Sequence, residues 1–223
     1  MIIVAMERQP RRRARVEVST DDGRRFDVSR ALARERGLRA GRPIDTEEID
    51  ELVALDARRE ALRSAGSMLA RSQRSERELR RRLAMRRFDG SVIAETIDRL
   101  RAAGLVNDRQ FAESWVEARD HRRPRGRRLA AAELRAHGID AATAIAAAGQ
   151  ISEEDAAYRA AGKHLRTLRN ADYPRFRRGL AACLQRRGFG WDTIRATIDR
   201  CWRECGGGAA DEDALDDLEG AME

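Results

Sequence analysis

The sequence predicts a mainly α-helical protein. Three tandem three-helix repeats form an elongated curved array behind a small β-rich N-terminal domain. Three observations carry this. The first is internal repetition. From Leu83, Phe88 lies five residues on, Ile93 ten on, and Thr96-Ile97-Asp98-Arg99 follow at thirteen to sixteen; Leu184, Phe189, Ile194 and Thr197-Ile198-Asp199-Arg200 repeat the same spacing. A fainter middle copy starts at Leu134 with Gly138-Ile139, so the anchors stand 51 and 50 residues apart. A near-constant period of this size marks units that complete their cores against one another. The second is composition: 42% hydrophobic, only 4% aromatic and 37% charged, which suits thin layers of Ala, Leu and Ile between close-packed helices. The third is a succession of helix starts and stops from residue 57 onward.

Residues 1–55 read as a small β-hairpin and helix domain. Ile2–Val4 is a short apolar run, Ala14, Val16 and Val18 alternate, and Asp22-Gly23 is a hairpin turn before Arg24–Val28. Ser29 caps a helix through Arg36 closed by Gly37, and Asp45 with Glu48 forms a capping box for another. The charges of residues 1–56 balance, 12 of each sign, which suits a packing or docking role.

The first repeat occupies 56–106. Ala61, Leu62, Ala65, Met68 and Leu69 make one helix face; Ser75 with Glu78 starts a second helix through Leu79 and Leu83 to Arg87; Ser91 begins a third that stops at Gly104. The second repeat, 107–151, uses Phe111, Ala112, Trp115 and Val116, then a break at 122–128 where Pro124 suits the first turn of the next helix. Gly138 ends that helix, and an Ala-rich one runs from Asp140 to Ala148. The third repeat, 152–205, opens with Ser152 and Asp155 as capping partners. Its second helix starts at Tyr173-Pro174 and its third covers Trp191 to Trp202. Residues 206–223 are a Gly-linked acidic tail, expected to be disordered.

Charge is unevenly spread. Residues 57–204 carry 33 Lys/Arg against 19 Asp/Glu, whereas 205–223 carry seven acids and no base. A basic body ahead of an acidic tail points to a polyanionic or acidic partner with which the tail competes. No apolar run is of membrane-spanning length, and the opening run Met1–Met6 is too short and lacks the basic leader of a secretory signal; with three cysteines, too few and odd in number for a disulfide framework, the expected compartment is the cytoplasm.

Catalytic chemistry is not expected. No acid pair, Ser/His/Asp set or Cys/His set stands out, and the lone lysine, Lys163, follows a single glycine rather than a phosphate-binding loop. Cys201 falls in the slot of Leu100 and reads as a packed thiol; Cys201 and Cys205 lack the further ligands a zinc site needs, so no metal and no cofactor are expected. His137 reads as solvent-facing, His164 as a helix-packing edge, and Trp115, Trp191 and Trp202 as core.

What remains is arginine. Arg122, Arg123, Arg125, Arg127 and Arg128, beside Arg119, form the densest patch. Arg80, Arg81 and Arg82 with Arg86 and Arg87, and Arg175, Arg177 and Arg178 with Arg186 and Arg187, recur at the second helix of the first and third repeats. Aligned across stacked units they make a stripe suited to a long polyanion or an acidic groove. Three readings follow: a filament-binding regulator, a backbone-level DNA binder of helical-repeat type, and a passive scaffold. Few Asn or Gln accompany the arginines, which speaks against reading of base sequence.

The segments SERELRRRL (75–83), IDRLRAAGLVND (97–108) and NDRQFAESWVEAR (107–119), followed by Gly126 and AAELRAHGI (131–139), resemble the RecX family of recombinase modulators over roughly residues 57–204. The central pattern is Asp108, Phe111, Ala112, Arg119, Gly126, Glu133, Leu134, Gly138 and Ile139. The opening IVAMERQPRRRARVEV (3–18) looks like the extension some members carry; the acidic tail is outside the pattern. The resemblance implies a non-enzymatic regulator, monomeric when free. It would lie in the groove of the RecA filament on single-stranded DNA, with possible contact to the DNA itself. It would limit filament growth, ATP turnover, strand exchange and the co-protease activity behind the SOS response, and so regulate DNA repair and recombination. The arginines are assigned to that contact by charge density alone.

Overall fold

Alternation at Val16, Val18 and Thr20 puts every second side chain of a strand on one face, and in the computed structural model of the chain all three are buried. The structure describes residues 1–9, 14–168 and 171–205. Strands β1 (Ile3–Arg8), β2 (Arg15–Thr20) and β3 (Arg25–Ser29) form an antiparallel sheet in the order β1-β2-β3. Val18 stands opposite Phe26, and the β2–β3 turn closes at Gly23, whose φ of 87° a side chain resists. Ser29 accepts the Leu32 N–H and starts α1 (Arg30–Glu35) as expected. The sheet packs Ile3, Val18 and Val28 with Leu32 of α1 and Leu52 of the next helix.

That helix, α2 (Thr46–Leu69), is a single element of 24 residues, and it crosses residue 55, where the sequence reading places a boundary. No proline or glycine lies between Thr46 and Ala65, so nothing interrupts helical propagation. Its first half, with Ile49 and Leu52, belongs to the sheet's core; its second half, with Ala65 and Met68, belongs to the first repeat's. Asp45 accepts the Glu48 N–H, but Glu48 does not complete the box: its carboxylate binds Arg42 at 2.7 Å.

The first repeat is the end of α2 with α3 (Glu76–Met85) and α4 (Gly90–Ala102). Ser75 caps α3 through the Glu78 N–H, as the sequence predicts; α4 begins one residue before Ser91, with Asp89 as its N-cap. The second repeat is α5 (Asp108–Arg122), α6 (Arg127–Ala136) and α7 (Ala141–Gly149). Pro124 lies in the connection before α6 rather than in its first turn, because Gly126 takes the N-cap position. The third repeat is α8 (Glu153–Leu165), α9 (Tyr173–Gln185) and α10 (Trp191–Glu204), with Asp172 capping α9 and Pro174 in its first turn. Ser152 does not cap α8 through a backbone N–H; its hydroxyl donates to Asp155 instead.

The main apolar slots share an environment across the repeats. Leu83, Leu134 and Leu184 have no exposed surface, each contributing on the order of 2 kcal/mol by burial. Fourteen and seventeen residues on, the slots Ile97, Ala148 and Ile198, and Leu100, Ile151 and Cys201, are buried in all three copies. The chain divides into two compact units, Met1–Val106 and the part from Asn107 onward. The first repeat has its own core beside the sheet's, whereas the second and third repeats share one continuous core. The acidic tail lies outside the described residues.

Candidate partner-binding surface

A guanidinium serves a partner only if the fold has not already engaged it. On α3, Arg80 is 3.0 Å from Glu76 and Arg82 2.9 Å from Glu78, both i,i+4 pairs. Burial alone would push the two carboxyls up. Hydrogen bonds from Arg101 and Arg80 to Glu76, and from Arg82 and Arg74 to Glu78, outweigh it and hold both below the usual carboxylate range. Arg81 is exposed and has no ion pair among the described residues. Beyond the helix, Arg86 donates to the Ser64 hydroxyl. Arg87, also exposed, has a φ of 64°, the one left-handed non-glycine residue described; the same slot in the other repeats holds Gly138 and Gly188.

The basic run after α5 splits in the same way. Arg125 binds the Glu133 carboxylate at 2.7 Å and Arg119 approaches its other oxygen at 3.5 Å while lying 4.9 Å above the Trp115 ring. These two arginines tie α5, the connection and α6 together, and a bidentate, half-buried acceptor makes them structural. Arg127 is also engaged, its Nε donating to the Ile151 carbonyl at 3.0 Å and its backbone N–H to Glu153 at 2.8 Å. Arg122, Arg123 and Arg128 are exposed and form no ion pair among the described residues. Arg175, Arg178 and Arg186 are likewise exposed and unpaired there, with Arg177 and Arg187 half-buried.

Two of the three clusters come together. The Gly126 N–H donates to the Arg187 carbonyl at 2.9 Å, and a Cβ on Gly126 would lie 2.1 Å from the Gly188 oxygen. Only paired glycines permit this backbone contact. It sets Arg127 and Arg128, at the start of α6, beside Arg186 and Arg187, at the end of α9. The α3 cluster belongs to the other unit.

Side chains weighed for chemistry fall out differently. Cys201 has no exposed surface, and burial first, then the charge of Glu204, pushes its thiol up to about 11, as an inert packed group requires. His137 is exposed, yet its ring lies 5.9 Å from Phe111 and 5.8 Å from Trp115; His164 is half-buried. Trp115 and Trp202 pack against the core, but Trp191 does not: it is 36% exposed, because it opens α10 from the outside of the repeat. The slot itself was the available signal, since the other repeats place Gly90 and Ala141 there. Among the described residues no three His, Cys, Asp or Glu side chains are grouped to hold a metal ion, and no helix is long and apolar enough to cross a membrane.

Known proteins can now be set beside this arrangement. Residues 61–100 match the first three-helix domain of RecX and residues 107–147 the second. A regulatory protein RecX from Amycolatopsis mediterranei (strain U-32) is 36% identical over 153 residues, which cover 67% of this chain and 86% of that one. The chain belongs to the RecX family. The regulatory protein RecX of Corynebacterium efficiens is 35% identical over 158 residues, 66% of this chain and 75% of its own. A crystal structure of regulatory protein RecX superposes with a TM-score of 0.65 at 21% identity, covering 89% of this chain and 98% of that one. RecX from Lactobacillus salivarius superposes at 0.62 with 22% identity over 66% and 97%. These two likenesses concern the fold, a tandem of RecX three-helix domains.

The residues that carry the RecX resemblance also build the second unit. Phe111, Ala112, Leu134 and Ile139 are core, Gly126 makes the repeat junction, and Arg119 with Glu133 forms the ion pair. RecX likeness is therefore written in packing residues. A contact surface has to be sought in the arginines that packing leaves over.

Proposed function

We propose that this RecX-family chain binds the RecA–DNA nucleoprotein filament and restrains its extension, ATP turnover, strand exchange and co-protease activity. On this reading it acts in the cytoplasm as a monomer when free, as a regulator of DNA repair and recombination rather than as a catalyst. The observation that carries it is that, of the clustered arginines, eight stay exposed with no ion pair among the described residues: Arg81 and Arg87 in the first repeat, Arg122, Arg123 and Arg128 in the second, Arg175, Arg178 and Arg186 in the third. Each such contact is modest and salt-sensitive. Several on one chain, meeting a polymer of repeating subunits, act together through high effective concentration. Bridging neighbouring subunits, or covering the face where the next one adds, shifts a polymerisation equilibrium with no bond made or broken.

Co-sedimentation with recombinase filaments and with naked DNA across a salt series tests this. Retention on filaments at salt that strips the chain from naked DNA is the expected result. Loss from both at the same salt would instead favour the DNA backbone as the whole partner.

A further inference from the structure

Trp191 is out of place at a helix start whose counterparts in the other repeats are small residues. The equivalent positions are Gly90 and Ala141, so neither the helix start nor the core needs an indole there. It lines a cleft of about 480 Å³ at the junction of the second and third repeats, together with Arg127, Arg128, Gln185 and Glu153. Glu153 accepts the Arg127 backbone N–H at the rim, and Arg128 is exposed and unpaired among the described residues. Arg195, one turn along α10 from Trp191, is exposed as well; Asp192 is the acid beside it. A partly exposed indole flanked by guanidiniums, in a cleft the size of a small-molecule pocket, has the two elements that hold an unpaired nucleotide. These are a flat apolar face for the base and positive charge for the phosphate.

We propose that this cleft takes one nucleotide of a single-stranded nucleic acid, its base stacked on Trp191 and its phosphate held by Arg128. Every base offers a π-face, so recognition is of single-strandedness and not of sequence. A duplex, whose bases are stacked on each other, cannot supply the base. The site needs no recombinase, and its test leaves filament binding aside.

The measurement is fluorescence anisotropy of a labelled oligothymidine with the full chain, free of recombinase. Trp191→Ala is expected to weaken binding roughly tenfold, the scale of losing one stacked base. Trp191→Phe should retain most of the affinity, and an oligomer abasic throughout should bind the wild-type chain no better than Trp191→Ala binds oligothymidine. Arg128→Gln should lower the slope of log affinity against log salt by about one. Alanine already fills the equivalent slot at Ala141, and a thermal melt of the variant checks that the repeat still folds. Unchanged oligothymidine affinity in Trp191→Ala would overturn the proposal. So would an equal loss toward duplex of the same length, or a loss confined to an acidic polypeptide such as polyglutamate.

Discussion

Arg87 shows how one residue can stand against its own repeat. The second helices of the other two repeats end on Gly138 and Gly188, both at positive φ, and Arg87 adopts the same conformation with a side chain. Left-handed backbone costs a non-glycine residue roughly 1–2 kcal/mol, while glycine returns some of that through a freer unfolded chain. Arg87→Gly is therefore expected to stabilise the first unit by about 0.5–1 kcal/mol in urea unfolding and, on the proposed reading in which this arginine meets the filament, to weaken filament retention. Gly126 is the converse case. An added Cβ meets the Gly188 carbonyl at 2.1 Å, so Gly126→Ala should cost about 1–3 kcal/mol by forcing the two repeats apart. Gly66→Ala, inside α2 with nothing within 4 Å, should stabilise by about 0.5–1 kcal/mol and serves as the contrast.

At the level of elements, α3 depends on its acids. Glu76 and Glu78 have their folded-state values lowered by arginine hydrogen bonds that outweigh burial, so their contribution is present above the unfolded value near 4.5 and is lost as pH falls through the folded values. Urea midpoints of the first unit should drop between pH 5.5 and pH 3, and Glu76→Gln with Glu78→Gln should flatten that drop. Much of the element plan was legible because local signals sufficed. Ser29, Asp45 and Ser75, the caps the sequence names, each accept the backbone N–H three places on. Legibility failed where tertiary context decided. The continuity of α2 depends on two cores sharing one helix, and Pro124 yields the start of α6 to Gly126 because Gly126 must reach across to the third repeat. At the candidate surface, charge density placed Arg119 and Arg125 with Arg122 and Arg123. Glu133, eight residues beyond Arg125 and fourteen beyond Arg119, separates them, and no charge count along the chain reports a side chain folded back one helix away.

For the molecule as a whole, buried slots repeat to build cores, and on the proposed reading exposed arginines recur to hold a partner that itself repeats. If that is so, paired and unpaired arginines must differ in consequence. Inhibition of RecA ATP turnover, titrated with the Arg122→Glu/Arg123→Glu/Arg128→Glu variant against wild type at equal helicity, tests this most directly. The triple variant is expected to need at least about tenfold more protein for half-inhibition, in line with three lost charge contacts. Inhibition indistinguishable from wild type would contradict a surface built from the arginines that the fold leaves unpaired.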